Sequence, residues 1–230
     1  MDFGATPVSQ VRLDCVIPAA GASSRMGSFK PLLPFGPGTL VELTVGVALD
    51  AGCRVILIVG YRGSEIRRLF DERKEVLVVE NPEWARGMLG SIQTGLGSVV
   101  TGHFFTIPAD MPLVTPAVYG RLREALEAGR AEEAATAGMS GAPGAAPGAA
   151  ASAGAVSYFA ASSGRAGHPV LIPSAWIPDI LRLPPSARMR DFLETRPHRL
   201  VEAFTDAVLS DMDRPAEYEA GLARFDPRAP

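Results

Sequence analysis

The sequence of 230 residues contains little cysteine, histidine or net positive charge. Its two cysteines, Cys15 and Cys53, exclude a disulfide framework and a four-ligand zinc site, and their apolar neighbours predict buried thiols in a reducing cytoplasm. The three histidines are too scattered to form a metal trio. Lysine and arginine total 22 against 25 aspartates and glutamates. A general nucleic-acid-binding protein is not expected, because such proteins are usually basic.

Long hydrophobic runs are also lacking. The longest, residues 55–59, has the length of a strand and falls far short of the roughly 20 apolar residues that span a bilayer. The first residues carry an acid and no apolar stretch, so we expect no secretory signal. These absences predict a cytoplasmic protein without a membrane partner. Apolar residues still make up 47% of the chain, enough for a real core.

Apolar runs and helical spacing alternate along the chain. Strands are predicted at residues 13–18, 55–59, 76–80, 103–107, 156–160 and 170–172. Helices are predicted from the Thr39 cap to about Ala51 and at residues 63–70, 87–100, 116–128, 177–183, 188–195 and 215–225. This alternation with short connections predicts an α/β fold, with a doubly wound, mostly parallel sheet and helices on both faces.

The domain organisation follows the same pattern. We interpret residues 1–230 as one domain, with a ligand-binding half at 11–128 and a small mixed extension of the same domain at 156–226. Between them, residues 131–155 consist almost entirely of Ala, Gly, Pro and Ser. This segment has almost no large apolar side chain to bury and is predicted to be a flexible insertion.

The loop after the first strand is the most informative segment. A loop at the carboxyl end of a parallel strand is where ligands bind, and small residues let backbone N–H groups approach an anion. Arg25 and Lys30 add positive charge there, which predicts a phosphate site. The glycine spacing fits neither a P-loop nor a dinucleotide fingerprint, since five residues separate Gly21 from Gly27 and position 23 is serine.

A candidate metal ligand follows the fourth strand. Asp110 lies between Pro108 and Pro112, and the end of that strand should face the loop of Gly21. Mg²⁺ prefers one or two carboxylates together with phosphate oxygens. We therefore expect Asp110 to bind Mg²⁺ beside the phosphates of the ligand.

Five ordered motifs resemble the nucleotidyltransferases of the molybdenum cofactor type. The loop AAG-x3-RMG-x2-K ends at Lys30, and the further motifs are NPEWARGM with SIQTGL (81–96), ADMPLV (109–114), GHPVLI (167–172) and DMDRP (211–215). They cover nearly the whole chain apart from the insertion. Ala19-Ala20 resembles the cytidylyltransferase branch of this family.

The resemblance implies transfer of CMP from CTP to the phosphate of molybdopterin, with Mg²⁺ and release of pyrophosphate. It implies a molybdenum hydroxylase or its chaperone as a protein partner. It implies catalytic roles for Arg25, Lys30 and Asp110 and acceptor contacts from Gly167, His168 and Pro169. Asp213 would be a second metal ligand, with Asp211 left open, and a strand would place both on one face. The implied nucleotide contacts are Ala19, Ala20, Gly21, Ala22, Ser23, Ser24, Arg25, Met26, Gly27, Lys30, Asn81, Ser91 and Asp110.

Several functions stay open at this point. The same fold could use GTP instead of CTP, or a sugar or alditol phosphate as acceptor. A non-catalytic chaperone that delivers a nucleotide or molybdopterin would keep the loop but could lose the metal ligands. An oxidoreductase is disfavoured by the absence of its glycine spacing.

Overall fold

A computed structural model describes residues 12–22, 28–139 and 155–225. The nine strands found there are β1 (Asp14–Pro18), β2 (Pro34–Phe35), β3 (Gly38–Thr39), β4 (Arg54–Val59), β5 (Val76–Glu80), β6 (His103–Thr106), β7 (Ser157–Ser162), β8 (Arg165–Pro173) and β9 (His198–Glu202). The seven α-helices found there are α1 (Leu40–Asp50), α2 (Gly63–Leu69), α3 (Met88–Leu96), α4 (Pro116–Met139), α5 (Ile177–Arg182), α6 (Met189–Glu194) and α7 (Pro215–Arg224). These bounds confirm each predicted strand and helix to within a few residues, apart from the end of α4 and the start of β8, which lies five residues before the predicted strand.

Seven strands form the central sheet in the order β5-β4-β1-β6-β8-β7-β9, and β2 and β3 form a separate hairpin. Every neighbouring pair is parallel except the two that involve β8, which runs antiparallel to both β6 and β7. The predicted mostly parallel α/β sheet is confirmed. The chain moves from β1 outward to β4 and β5 and then returns to the other side of β1 with β6. This reversal creates a crevice at the carboxyl ends of β1 and β6, where ligands bind in such folds.

Both faces of the sheet are buried, because successive residues of a strand point to opposite sides. Cys15 and Ile17 of β1 belong to one core cluster, whereas Val16 belongs to the other. A third, smaller cluster lies beside the hairpin and consists of Phe35, Leu40 and Met212. Both cysteines are buried free thiols, as predicted.

Helix α1 begins where the sequence predicts it. The Thr39 hydroxyl accepts a hydrogen bond from the backbone N–H of Glu42 at 3.4 Å, and the Glu42 carboxylate accepts one from the Thr39 N–H at 2.9 Å. This reciprocal capping box satisfies two N–H groups that the helix leaves unpaired. It fixes the start of α1 next to the predicted phosphate site.

Helix α4 is longer than predicted. The composition from Ala131 onward predicts a flexible insertion, but the helix continues to Met139. The prediction is therefore wrong for residues 131–139, because alanine has the highest helix propensity and Glu132 anchors this part through an ion pair with Arg199 at 2.8 Å. The rest of the predicted insertion, residues 140–154, lies outside the described residues.

Two features of the C-terminal half were not predicted from the sequence. Strand β9 carries three exposed residues at its start and lacks a strand-like apolar pattern. Asp211 and Asp213 do not lie on a strand: the segment between the turn at Asp206–Leu209 and helix α7 is irregular. The prediction that a strand aligns these two carboxylates is wrong, since Pro215 starts a helix instead. Within the described residues, no helix is both long enough and apolar enough to cross a bilayer.

Candidate active site

Lys30 joins two carboxylates at the carboxyl edge of the sheet. Its ammonium contacts Asp110 Oδ2 and lies 2.6 Å from Asp213 Oδ1. Lys30 and Asp110 are largely buried, while Asp213 keeps about a third of its side chain exposed. The structure thus brings together three residues that the sequence predicts to act together.

The backbone around Asp110 is held on two sides. The Thr44 hydroxyl of α1 donates to the carbonyl of Ala109 at 3.2 Å, and the Met212 N–H donates to the carbonyl of Asp110 at 3.1 Å. The Met212 side chain is buried in the third core cluster. Because Met212 directly precedes Asp213, this cluster fixes the second carboxylate relative to the first.

Charge and burial act against each other at Lys30. Burial by itself would lower the pKa of Lys30, but Asp110 and Asp213 together outweigh it and raise the pKa above the ordinary lysine value. Lys30 therefore stays cationic at neutral pH. Its charge is available to an anion that displaces one of the two carboxylates.

The residues present fit a divalent cation. Asp110 Oδ1 is buried and has no hydrogen-bond partner. An orphaned carboxylate oxygen is costly unless something binds it. A hard cation such as Mg²⁺ or Mn²⁺ takes one or two carboxylates and completes its shell with water and phosphate oxygens. Across residues 12–22, 28–139 and 155–225 no group of three or more potential metal-ligating side chains is found.

Asp211 lies outside the Lys30 cluster. Burial raises the pKa of Asp211, and the nearby carboxylates of Asp110, Asp213 and Glu217 raise it further. Asp213 is the residue of this segment that forms an ion pair with Lys30. The geometry therefore favours Asp213 over Asp211 as the second ligand.

The first residues of the loop after β1 form backbone hydrogen bonds with β4 and with a residue shortly after its end. The Ala19 N–H donates to the Ile58 carbonyl at 2.8 Å, and the Tyr61 N–H donates to the Ala20 carbonyl at 3.0 Å. Both alanines are buried, while Gly21 and Ala22 are exposed. The other predicted loop residues, Ser23, Ser24, Arg25, Met26 and Gly27, lie outside the described residues.

Asn81 and Ser91 contact each other. Asn81 Nδ2 donates to Ser91 Oγ at 3.1 Å, and Asn81 Oδ1 accepts from the Glu83 N–H at 3.0 Å. Both residues are buried. These bonds fix the turn that leads from β5 to Trp84, and contact with a nucleotide stays a prediction for both.

A cavity of about 160 Å³ opens at the carboxyl ends of β1 and β6 and next to β8, where Pro18, Thr106 and Pro108 line it. Gly167 and His168 line it, together with the apolar side chains of Ile92, Phe159 and Val170. Burial lowers the pKa of His168 to about 4, against weaker opposing effects of the Thr106 carbonyl and Asp110. His168 Nδ1 is buried without a hydrogen-bond partner. A neutral imidazole that has one polar atom without a hydrogen bond thus lines a mainly apolar cavity.

Other residues of this cavity were missed from the sequence. Arg188, Met189 and Arg190 line it from the start of α6, and Met88 lines it from α3. Gly167 is required by packing, since a Cβ there would overlap the backbone carbonyl of Val208. The sequence signal for the arginines is weak, because a surface arginine is usually only solvated.

The family follows from a comparison with known protein families. Residues 15–202 match the model of the MobA-like NTP transferase domain. The chain belongs to this family. It is therefore a nucleotidyltransferase, and the Lys30, Asp110 and His168 regions fall within the matched range. Asp213 lies beyond it.

Two curated proteins resemble this MobA-like chain. The molybdenum cofactor cytidylyltransferase of Escherichia coli is 27% identical over 213 residues, which cover 93% of this chain and 97% of that protein. The nicotine blue oxidoreductase of Paenarthrobacter nicotinovorans is 31% identical over 122 residues, which cover 52% of this chain and 60% of that protein.

Solved structures share the fold of this MobA-like chain. A nucleotidyl transferase from Methanothermobacter has a TM-score of 0.69 at 22% identity, covering 94% of this chain and 100% of that one. A Mycobacterium tuberculosis protein in complex with manganese has a TM-score of 0.64 at 22% identity, covering 93% and 100%. At this identity, the likeness supports the fold alone.

Proposed function

We propose that this nucleotidyltransferase transfers CMP from CTP to the phosphate of molybdopterin and releases pyrophosphate. The observation that carries the proposal is the contact of Lys30 with Asp110 and Asp213 at the switch point of the sheet. The likeness to the E. coli cytidylyltransferase over nearly the whole of both chains favours CTP and this acceptor.

The reaction needs no side-chain nucleophile, because the acceptor already carries a phosphate. A phosphate oxygen of the acceptor forms a bond to the α-phosphorus of CTP, and the bond from that phosphorus to the bridging oxygen of the β-phosphate breaks. Pyrophosphate leaves with that electron pair. Positioning and charge stabilisation supply most of the acceleration in reactions of this kind.

Each described site residue has a role in this proposal. Lys30 offsets negative charge on the triphosphate as the transition state spreads it. Asp110 and Asp213 would hold Mg²⁺, and Asp110 Oδ1 offers the open position. When bound, the cation supplies positive charge to the phosphate oxygens. Arg25 is proposed as a further phosphate contact on the evidence of the sequence alone.

The cavity lined by His168 is proposed to hold the acceptor. Its apolar lining suits a flat heterocycle. Gly167 and His168 of β8 line the cavity, and Pro169 is the next residue of that strand. The backbone of Ala19, Ala20, Gly21 and Ala22 would contact the triphosphate. A molybdenum hydroxylase or its chaperone is proposed as the recipient of the product, in keeping with the cofactor named for the E. coli relative.

Pyrophosphate release tests the proposal directly. Purified protein with Mg²⁺ and molybdenum cofactor is offered CTP, GTP, ATP and UTP in parallel. We expect release with CTP, and release at least 100-fold slower in the Asp110→Asn variant. Release with GTP alone would make the chain a guanylyltransferase. No release with any nucleotide, while CTP still binds, would point to another acceptor or to a delivery role.

A further inference from the structure

Three aromatic side chains form a row across the carboxyl edge of β1, β4 and β5. Phe29 follows the loop after β1, Tyr61 follows β4, and Trp84 follows β5. The ring centroids of Phe29 and Tyr61 are 5.5 Å apart, as are those of Tyr61 and Trp84. The ring planes meet at 75° and 57°, so neither neighbour lies flat on the tyrosine. Tyr61 is 41% exposed.

This row is joined to the loop that we propose to bind phosphate. The Tyr61 N–H donates to the Ala20 carbonyl, so a backbone hydrogen bond connects the tyrosine to the start of this loop. A Cβ at Gly60 would lie 2.5 Å from Trp84 Cβ and 3.0 Å from Ala20 Cβ. Glycine at position 60 therefore lets Trp84 pack close against the backbone beside Ala20. Asn81 and Ser91 fix the turn that carries this tryptophan.

The two sides of the crevice differ in chemistry. The residues that line the apolar cavity with His168 come from β1, β6, β7, β8 and the helices α3 and α6, and none comes from β4 or β5. Lys30 directly follows Phe29 of the row and contacts Asp110. The acceptor and the nucleoside cannot share one place in an in-line transfer. With the acceptor in the cavity, the β4 and β5 side remains for the nucleoside. The exposed groups there include the ring of Tyr61 and the charged side chains of Arg62 and Arg86, which are paired with Glu65 and Glu83.

Resting on the proposed function, we infer that the exposed ring face of Tyr61 stacks on the base of the bound nucleotide. Stacking on an aromatic ring is worth about 1–3 kcal/mol per base and accepts every base. Tyr61 would thus set affinity and the position of the nucleoside. The choice between CTP and GTP would depend on other contacts.

The test compares ligands with and without a base. The affinities for CTP and for inorganic triphosphate, each with Mg²⁺, are measured by calorimetry for the wild type, Tyr61→Leu and Tyr61→Phe. Leucine keeps apolar bulk but removes the ring, and phenylalanine keeps it. Phe204→Leu is the control, because Phe204 is an exposed aromatic residue that contacts Arg121 away from the row.

We expect Tyr61→Leu to weaken CTP binding about 5- to 140-fold and to leave inorganic triphosphate binding unchanged. Tyr61→Phe and Phe204→Leu should bind both ligands as the wild type does. Unchanged CTP affinity in Tyr61→Leu would overturn the inference, as would an equal loss for both ligands, which indicates a structural role.

The outcome is separable from the proposed function. If the wild type prefers another nucleoside triphosphate, the assignment of CTP fails, and the same comparison with that nucleotide still tests the stacking. If no nucleoside triphosphate binds more tightly than inorganic triphosphate, the stacking is refuted, whichever reaction the enzyme performs.

Discussion

The ammonium of Lys30 lies between the carboxylates of Asp110 and Asp213, two residues from opposite halves of the chain. In this arrangement the lysine occupies the space that a cation bound by both carboxylates would need. Binding of a metal and of the triphosphate therefore has to move the lysine from the carboxylates to the phosphates. Lys30 can make either contact because it is a flexible, compact cation.

Replacing Lys30 with methionine separates these two contacts. We expect Lys30→Met to lower turnover about 10²- to 10³-fold, the usual cost of losing one charge-stabilising donor. Binding of Mn²⁺ to the nucleotide-free protein should become tighter, because the competing ammonium is gone. Pyrophosphate release and Mn²⁺ titration by electron paramagnetic resonance measure the two effects.

Lys74→Met is the matched control, since Lys74 is exposed and is the other lysine of the chain. It should change neither quantity. Full turnover in Lys30→Met, or an equal loss of turnover in Lys74→Met, would show that Lys30 has no catalytic role.

The three aspartates differ in their expected roles. Asp110→Asn and Asp213→Asn should each lower turnover at least 100-fold and weaken Mn²⁺ binding, because both carboxylates surround the proposed cation position. Asp211→Asn should cost less than tenfold, since Asp211 does not touch Lys30. Melting temperatures of the three variants provide the folding control. A larger loss of turnover in Asp211→Asn than in Asp213→Asn would make Asp211, and not Asp213, the second metal ligand.

Residues that act locally were predicted well from the sequence. Thr39 is recognised as a helix cap from the residues that directly follow it. The small residues after β1 likewise indicate where that strand ends. Asp213 was harder, because its position depends on the burial of Met212 against Phe35 and Leu40, which are distant in sequence. The row of Phe29, Tyr61 and Trp84, whose rings meet edge-on or tilted, likewise requires three strands to be aligned first.

Composition was misleading where helix propensity and low complexity coincide. Residues 131–139 contain the same small side chains as the rest of the predicted insertion, yet they continue α4. Alanine favours a helix that is already nucleated, and the ion pair from Glu132 to Arg199 of β9 holds it. Neither the strand β9 nor this ion pair had a signal in the sequence.

Two partly buried histidines, His103 and His168, should make stability depend on pH. Burial lowers the pKa of His103 and of His168 to about 4, below the unfolded value near 6.5. The unfolded chain then binds more protons than the folded chain between about pH 6.5 and pH 4, so stability falls as the pH is lowered through this window. Each histidine should cost about 1–2 kcal/mol at pH 5 relative to pH 7.5.

Chemical denaturation at pH 7.5 and pH 5 measures this loss. His168→Gln and His103→Gln should each reduce the difference between the two conditions, and the exposed His198→Gln should leave it unchanged. A wild type that is equally stable at both pH values would contradict the lowered pKa of these two histidines.

Asp14 should matter for stability and not for the reaction. This fully buried carboxylate at the start of β1 forms an ion pair with Arg54 at 2.7 Å and accepts from the Val100 N–H at 2.8 Å. Burial works to raise the pKa of Asp14, but the bonds to Arg54, Val100 and Thr101 lower it overall. The charged form is therefore the one that the fold stabilises.

Asp14→Ala removes the acceptor of the Val100 and Thr101 N–H groups and the partner of Arg54, whose side chain is one-third exposed. It should therefore lower the free energy of unfolding by about 1–3 kcal/mol. Asp14 lies at the amino end of β1, opposite to Lys30 and its carboxylates, so the KM for CTP should not change in the variant that remains folded. Asp50→Ala, at the exposed end of α1, is the control and should change neither value. If Asp14→Ala raised the KM while stability stayed constant, the carboxylate would act on the nucleotide site, and its role as a fixed support of the sheet would be wrong.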